Sequence, residues 1–102
     1  MIRSFGDRET RELFKRGRCR KLPPDIWRRA LRKLEMIDKA ESLNDLKVPP
    51  GNRLEPLKGD RAGYYSIRIN DQWRITFKFE DGDAFEVKVE DCHTNRLGDC
   101  HG

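Results

Sequence analysis

Arg68, Arg74 and Lys78 stand in a stretch where apolar and polar residues alternate. Successive side chains of a strand leave on opposite sides, so all three cations project from the same side of adjacent strands. Arg68 and Arg74 flank Asn70-Asp71, and a hairpin there sets them near each other. Two like charges that close are unfavourable unless an anion or a carboxylate sits with them. A guanidinium can grip phosphate oxygens with two parallel hydrogen bonds and stabilise charge as it builds. Asp91-Cys92-His93 closes the last alternating stretch. Histidine suits proton transfer near neutral pH, and a neighbouring carboxylate can raise its pKa or orient its ring. The plainer alternative has Glu86 and Glu90 neutralising the cations and His93 as a surface histidine. Composition alone leaves both open.

Other chemistries lack their residues. There is no Ser-His-Asp arrangement, no glycine-rich phosphate loop and no H-E-x-x-H helix. Nothing demands a nucleotide, metal or organic cofactor. The chain has three cysteines, Cys19, Cys92 and Cys100. Their odd number and irregular spacing suit reduced thiols better than a disulfide scaffold. Cys92-His93 and Cys100-His101 lack the C-x-x-C knuckle of structural zinc sites, so no metal is expected.

The elements that must carry these residues are two helices followed by strands. Asp7 to Arg16 reads as a short helix ending before Gly17. Pro23-Pro24 then open a run in which Trp27, Ala30, Leu31, Leu34 and Ile37 recur at helical spacing. Its other face carries Arg28, Arg29, Arg32 and Lys33. Ser42 with Asp45 can cap one further turn, and Val48-Pro49-Pro50-Gly51 stops any helix. Leu54 to Leu57 is a short strand candidate. Tyr65, Ile67 and Ile69 alternate with polar residues. So do Trp73, Ile75, Phe77 and Phe79, and so do Phe85, Val87 and Val89. Each set predicts one buried face and one wet face. Asp81-Gly82 suits a tight hairpin, and Asn70-Asp71 serves as the other turn. Helices then short-looped strands predict an α+β fold. The long helix packs on the apolar face of a mainly antiparallel sheet. Trp27 and Trp73, on the apolar sides of their patterns, belong to the core.

With 102 residues, the chain has room for one domain. Charged residues make up 39% and mean hydropathy is −0.93, polar for a globular protein, but the apolar residues cluster. No apolar run approaches a membrane span, and the first residues lack the apolar stretch of a secretory signal; the expectation is cytoplasmic. Net charge is +4, unevenly spread. Met1 to Leu34 holds 12 Lys/Arg against 4 Asp/Glu, and the remainder 10 against 14. A basic first third suggests a surface facing a polyanion or an acidic partner.

Longer strings are more specific. Pro49-Pro50-Gly51-Asn52-Arg53-Leu54 precedes Leu57-Lys58-Gly59-Asp60-Arg61, then Gly63 and Tyr65-Ser66-Ile67-Arg68. Asn70-Asp71-Gln72-Trp73-Arg74-Ile75 follows, and Glu90-Asp91-x-His93 closes the set. With Ile2-Arg3-Ser4-Phe5 at the front, this resembles the HigB-like toxins of the RelE superfamily from bacterial toxin–antitoxin operons. The likeness runs from Met1 to His93. That span is read as one toxin domain, with 94–102 a C-terminal extension of no assigned role.

The resemblance implies a RelE-like microbial RNase fold of two N-terminal helices on a twisted sheet, to which the N-terminal segment can add a strand. It implies a metal-independent endoribonuclease that cuts mRNA in the ribosomal A site through attack by the ribose 2′-OH. It further implies a HigA-like antitoxin partner, with operator DNA reached through the antitoxin complex. Arg74 matches the arginine at the scissile phosphate. Asp91 and His93 match the Asp-x-His end, with His93 moving protons and Asp91 orienting it or acting as base. Lys58 and Arg68 become phosphate-binding candidates with Lys78. Arg28, Arg29 and Arg32 are candidates for ribosomal RNA. Two positions depart from the pattern. Glu55 stands where some HigB toxins have histidine; a carboxylate there can be a base but supplies no positive charge. Cys92 replaces a frequent tyrosine. Weaker or differently tuned cleavage is expected, and a degenerate toxin that only binds antitoxin or operator DNA is the alternative.

Overall fold

The structure is a computed structural model that describes residues 1–47 and 52–91. The Val48–Gly51 stop, Cys92, His93, Cys100 and His101 lie outside these. Helix α1 (Arg8–Arg16) begins at Asp7, whose carboxylate accepts the Thr10 N–H at 2.9 Å. It ends at Gly17, which takes the left-handed conformation (φ 77°) and returns its N–H to the Leu13 carbonyl. Both ends therefore satisfy backbone groups that a helix leaves unpaired. Helix α2 (Pro24–Lys39) starts on a proline that has no N–H to lose there. Its fully buried stripe is Ile26, Ala30, Leu34 and Ile37. Trp27 lies at the margin of that stripe, half-buried, with its indole N–H on the Leu22 carbonyl at 2.9 Å. Ser42 and Asp45 form the expected reciprocal cap on a 3₁₀ turn, Leu43–Leu46.

Strands β1 (Glu55–Pro56), β2 (Tyr64–Arg68), β3 (Trp73–Glu80) and β4 (Asp83–Asp91) form an antiparallel sheet in that order. The β2–β3 turn is held by Asn70, whose side-chain oxygen accepts the N–H groups of Gln72 and Trp73, both at 2.8 Å. Asp81 (φ 50°) and Gly82 (φ 83°) make the two-residue β3–β4 turn. Two consecutive positive φ values match the twist of the flanking strands. The helices cover one face of the sheet, against Ile67, Ile75, Phe77, Val87 and Val89. Thr10 of α1 reaches across to accept the Val89 N–H at 2.8 Å.

The alternation in β4 is corrected by a bulge. Phe79 pairs with Ala84 and Lys78 with Phe85, but Thr76 pairs with Lys88. One extra residue therefore stands in β4, and Glu86 takes φ 53° to make room for it. Ala84, Val87 and Val89 line the core, while Phe85 falls beside Lys78 instead of joining them. The outer edge of β4 is covered by the N-terminal segment. Ile2 and Phe5 bridge Ala84 and Val87 in parallel, through four backbone hydrogen bonds of 2.7 to 3.1 Å.

Candidate active site: four ion pairs on the polar sheet face

The sheet face opposite the helices carries Ser66 and Arg68 from β2, Arg74, Thr76 and Lys78 from β3, and Glu90 from β4. Arg68 and Arg74 are direct cross-strand partners, as their places beside the turn require. This face is polar without being uniformly wet, a correction to the simple alternation. Ser66, Arg74 and Thr76 are buried. Glu55 of β1 and Arg61 from the 3₁₀ turn Gly59–Arg61 lie over them.

Four cations of the face hold carboxylates, while Lys88, which lies on the same face across from Thr76, makes no ion pair among the described residues. Arg74 Nη2 donates to Glu55 Oε1 at 2.9 Å and to the Arg53 carbonyl at 3.5 Å. Arg68 pairs with Asp71 of its own turn. Arg61 grips Glu90 with both terminal nitrogens and donates to Thr76 Oγ1 at 3.1 Å. Lys78 lies 3.8 Å from Glu86. The anticipated neutralisation of Arg68 and Arg74 by Glu86 and Glu90 is corrected: Arg68 and Arg74 are matched by Asp71 and Glu55, while Glu86 and Glu90 pair with Lys78 and Arg61.

These pairs differ in what they leave available. Burial pushes the Glu90 carboxyl up. Hydrogen bonds from Arg61 and Thr76, with the charges of Arg61 and Lys88, outweigh it and hold the group below the usual carboxylate range. Glu90 is thus a fixed anion and a poor proton acceptor. Tyr64 carries Lys78 and Arg61 over its ring, at 5.1 and 5.6 Å from the centroid. Its phenol is raised above its ordinary value, chiefly by a hydrogen bond to Glu86, so it stays protonated at neutral pH. Glu55 is the carboxylate brought directly to Arg74.

The remaining sequence candidates are distributed. Lys58 is exposed beside the 3₁₀ turn and makes no ion pair among the described residues. Asp91 pairs across to Trp73, so it leaves β4 on the side opposite Arg74 and Glu90, and it accepts the Gln72 side-chain amide at 3.0 Å. His93 lies outside the described residues. Arg28, Arg29 and Arg32 are exposed on α2, in the other layer, and Arg29 reaches the Ile69 carbonyl at 3.5 Å. They form a separate basic surface. Neighbouring Lys33 shows the local potential, its pKa lowered by burial and then by Arg29 and Arg32. Among the described residues no cluster of three or more His, Cys, Asp or Glu could hold a metal ion. No helix among them is long and apolar enough to cross a membrane.

Two residues of the site carry no functional mark in the sequence pattern: Arg61, within the Leu57–Arg61 string, and Thr76, an alternating polar residue of β3 that is buried on this face. Hydrophilic residues at consecutive same-face positions of β3 were the available signal for Thr76; nothing local marks Arg61 as Glu90's partner.

The arrangement of helices on one face of an antiparallel sheet is shared with solved structures. The fold matches a YafQ mutant from E. coli with a TM-score of 0.57, at 17% identity over 92% of this chain and 94% of that one. It matches a chain of the YoeB–YefM complex from Staphylococcus aureus with a TM-score of 0.55, at 22% identity over 90% of this chain and 94% of that one. In sequence, the profile described as RelE-like toxin of type II toxin-antitoxin system HigB matches residues 3–93. The chain belongs to this family of HigB-like toxins. Toxin HigB-1 of Vibrio cholerae is 37% identical over 91 residues, which cover 88% of this chain and 96% of that protein. Endoribonuclease HigB of Proteus vulgaris is 40% identical over 93 residues, covering 91% of this chain and all of that protein.

Proposed function

We propose that this HigB-like toxin is a ribosome-dependent endoribonuclease that cleaves mRNA in the A site. The observation that carries the reading is a buried arginine, Arg74, with a carboxylate on one of its nitrogens and a second arginine directly across the strand pair. The relationship to Endoribonuclease HigB of Proteus vulgaris supports the same class of reaction.

The chemistry runs as follows. The ribose 2′-oxygen forms a bond to the adjacent phosphorus while the bond to the 5′-oxygen breaks, leaving a cyclic phosphate and a free 5′-OH. Glu55, beside Arg74, accepts the 2′-OH proton; Asp91, on the side of β4 opposite Arg74, is not placed to do so. Arg74 stabilises the extra negative charge on the phosphorane oxygens. His93 returns a proton to the departing 5′-oxygen, and Asp91 sets its orientation. Lys58, Arg68 and Lys78 hold flanking phosphates. All three requirements are met by side chains, so the reaction calls for no metal ion. Arg28, Arg29 and Arg32, on the helical layer, meet ribosomal RNA, where multiple phosphate contacts make binding steeply salt-dependent. A HigA-like antitoxin restrains the toxin in the cytoplasm, and operator DNA is contacted through their complex. Residues 1–93 act as the toxin domain.

Growth arrest on induction, with A-site cuts mapped in translated mRNA, is the expected result. Arg74→Ala and His93→Ala should relieve the arrest and lower cleavage by about 10²-fold or more, the usual loss when charge stabilisation or proton transfer is removed. If both variants stay fully toxic, the assignment is wrong. The second reading, a toxin homologue that binds without cutting, draws on the prior neutralisation of Arg74 by Glu55 and on Cys92. Recovered cuts eliminate it.

A further inference from the structure

The four carboxylates of the polar face are not equally removable. In the Arg61–Glu90 pair both side chains are largely shielded, 26% and 18% exposed, and Thr76 locks them. Lys78 and Glu86 are both open to solvent and only loosely matched. Arg74 and Glu55 are asymmetric. The arginine side chain is 9% exposed and the glutamate 41%. The cation cannot leave its place, whereas the anion can swing into water without being stranded. Arg74 also uses its donors incompletely. Nη2 serves both Glu55 and the Arg53 carbonyl; among the described residues the buried Nε has no partner and Nη1 makes no hydrogen bond. A phosphate can take two parallel N–H groups of a guanidinium, which a carboxylate on a single nitrogen does not.

We propose that Glu55 is a built-in stand-in for the RNA phosphate. In the free protein it occupies Arg74, where a buried and unmatched guanidinium would be costly. An incoming phosphodiester displaces it, gains the donors that Glu55 leaves unused, and sets the freed carboxylate beside the bound phosphate. RNA binding is therefore an exchange of anions on Arg74, weaker than Arg74 alone would give. The proposal rests on the reading of Arg74 as the phosphate seat. It adds that Glu55 opposes substrate binding before it takes any part in cleavage.

The test is the affinity of the full chain for a labelled single-stranded DNA oligonucleotide, which lacks the 2′-OH and cannot be cut. Glu55→Gln keeps the side chain's shape and removes its charge. Binding should tighten on the order of ten-fold, as expected when a charge is removed within hydrogen-bonding distance of a buried site. Asp71→Asn removes one charge from the neighbouring pair, whose aspartate is 92% exposed. It should change affinity by less than about two-fold, as for surface pairs. In an Arg74→Lys background the Glu55→Gln gain should shrink, because the fork is gone; Arg74→Ala, if it folds by circular dichroism, should abolish it. Unchanged or weaker binding by Glu55→Gln overturns the proposal. So does an equal gain from Asp71→Asn, which would mark a general charge effect, or a full gain surviving in both Arg74 backgrounds. Wild-type binding by the Arg74 variants would instead remove the phosphate seat and with it the proposed function.

Discussion

Glu90 and Glu55 lie on either side of Arg74, but Glu90 is shielded under Arg61 and Thr76 while Glu55 is open to solvent. The Arg61 and Thr76 bonds hold the Glu90 carboxyl below the usual carboxylate range. Its folded-state pKa is depressed, so the unfolded chain takes up the proton first as pH falls. The stabilisation is fully present above the unfolded value, about 4.3, and is lost as pH drops through the lower folded value. Arg61→Ala should therefore flatten the acid limb of stability between about pH 5 and 3. At neutral pH it should cost about 2 kcal/mol, the worth of a partly buried charged hydrogen-bond pair. Urea midpoints measured across that range check both; an unchanged acid limb would show that Glu90 titrates normally. None of this was visible in the sequence. Arg61 and Glu90 are 29 residues apart, and only the fold of the Gly59–Arg61 turn over β3 brings them together.

At the level of elements, the readable features were those in which a residue acts on its own backbone. Asp7 and Gly17 mark the ends of α1, Ser42 with Asp45 marks a 3₁₀ turn, and Asp81-Gly82 marks a hairpin; each acts within four residues of itself. Asp7→Ala should lose about 1 kcal/mol, the usual worth of such a cap. For a domain of this size that lowers the melting temperature by roughly 4–8 °C, measurable by circular dichroism. The bulge at Glu86 was unreadable for the opposite reason. Nothing within β4 signals an extra residue, and the pattern Phe85, Val87, Val89 continues straight through it. The bulge is instead fixed by contacts from elsewhere: Ser4 Oγ accepts the Glu86 N–H at 2.9 Å. Thr10 performs a similar service at Val89. Thr10→Val keeps the volume but strands that buried N–H, at a cost of about 1–3 kcal/mol in urea unfolding. Little change would mean that another acceptor replaces the hydroxyl.

At the level of the whole molecule, the sheet divides two surfaces. Helices and their exposed arginines occupy one side, and the ion-paired face the other. Helix-then-strand order was enough to predict this division, because an apolar sheet face must be covered and α2 is the element long enough to cover it. What the order could not supply was the state of the other face, which β1 and the Arg61 turn partly close. Charge neutralised in pairs also limits long-range attraction. Association with RNA should owe more to the α2 arginines than to Arg68 or Arg74. Replacing Arg28, Arg29 and Arg32 together by Gln should slow ribosome association and reduce its salt dependence by up to about three phosphate contacts, read as the slope of log affinity against log salt. An unaltered slope would show that α2 faces away from the RNA.

The parallel run of residues 2–5 along β4 also bears on how the protein behaves among copies of itself. A free strand edge offers unpaired N–H and C=O groups to any neighbour, and β4 would be the longest such edge in the sheet. Gly6 lets this cover lie close, since a methyl group there would stand 3.0 Å from the Glu86 carbonyl oxygen and 3.1 Å from the Lys88 Cβ. A crowded cell therefore meets a ribbon whose last ladder is already zipped, and a single added carbon at Gly6 would begin to unzip it.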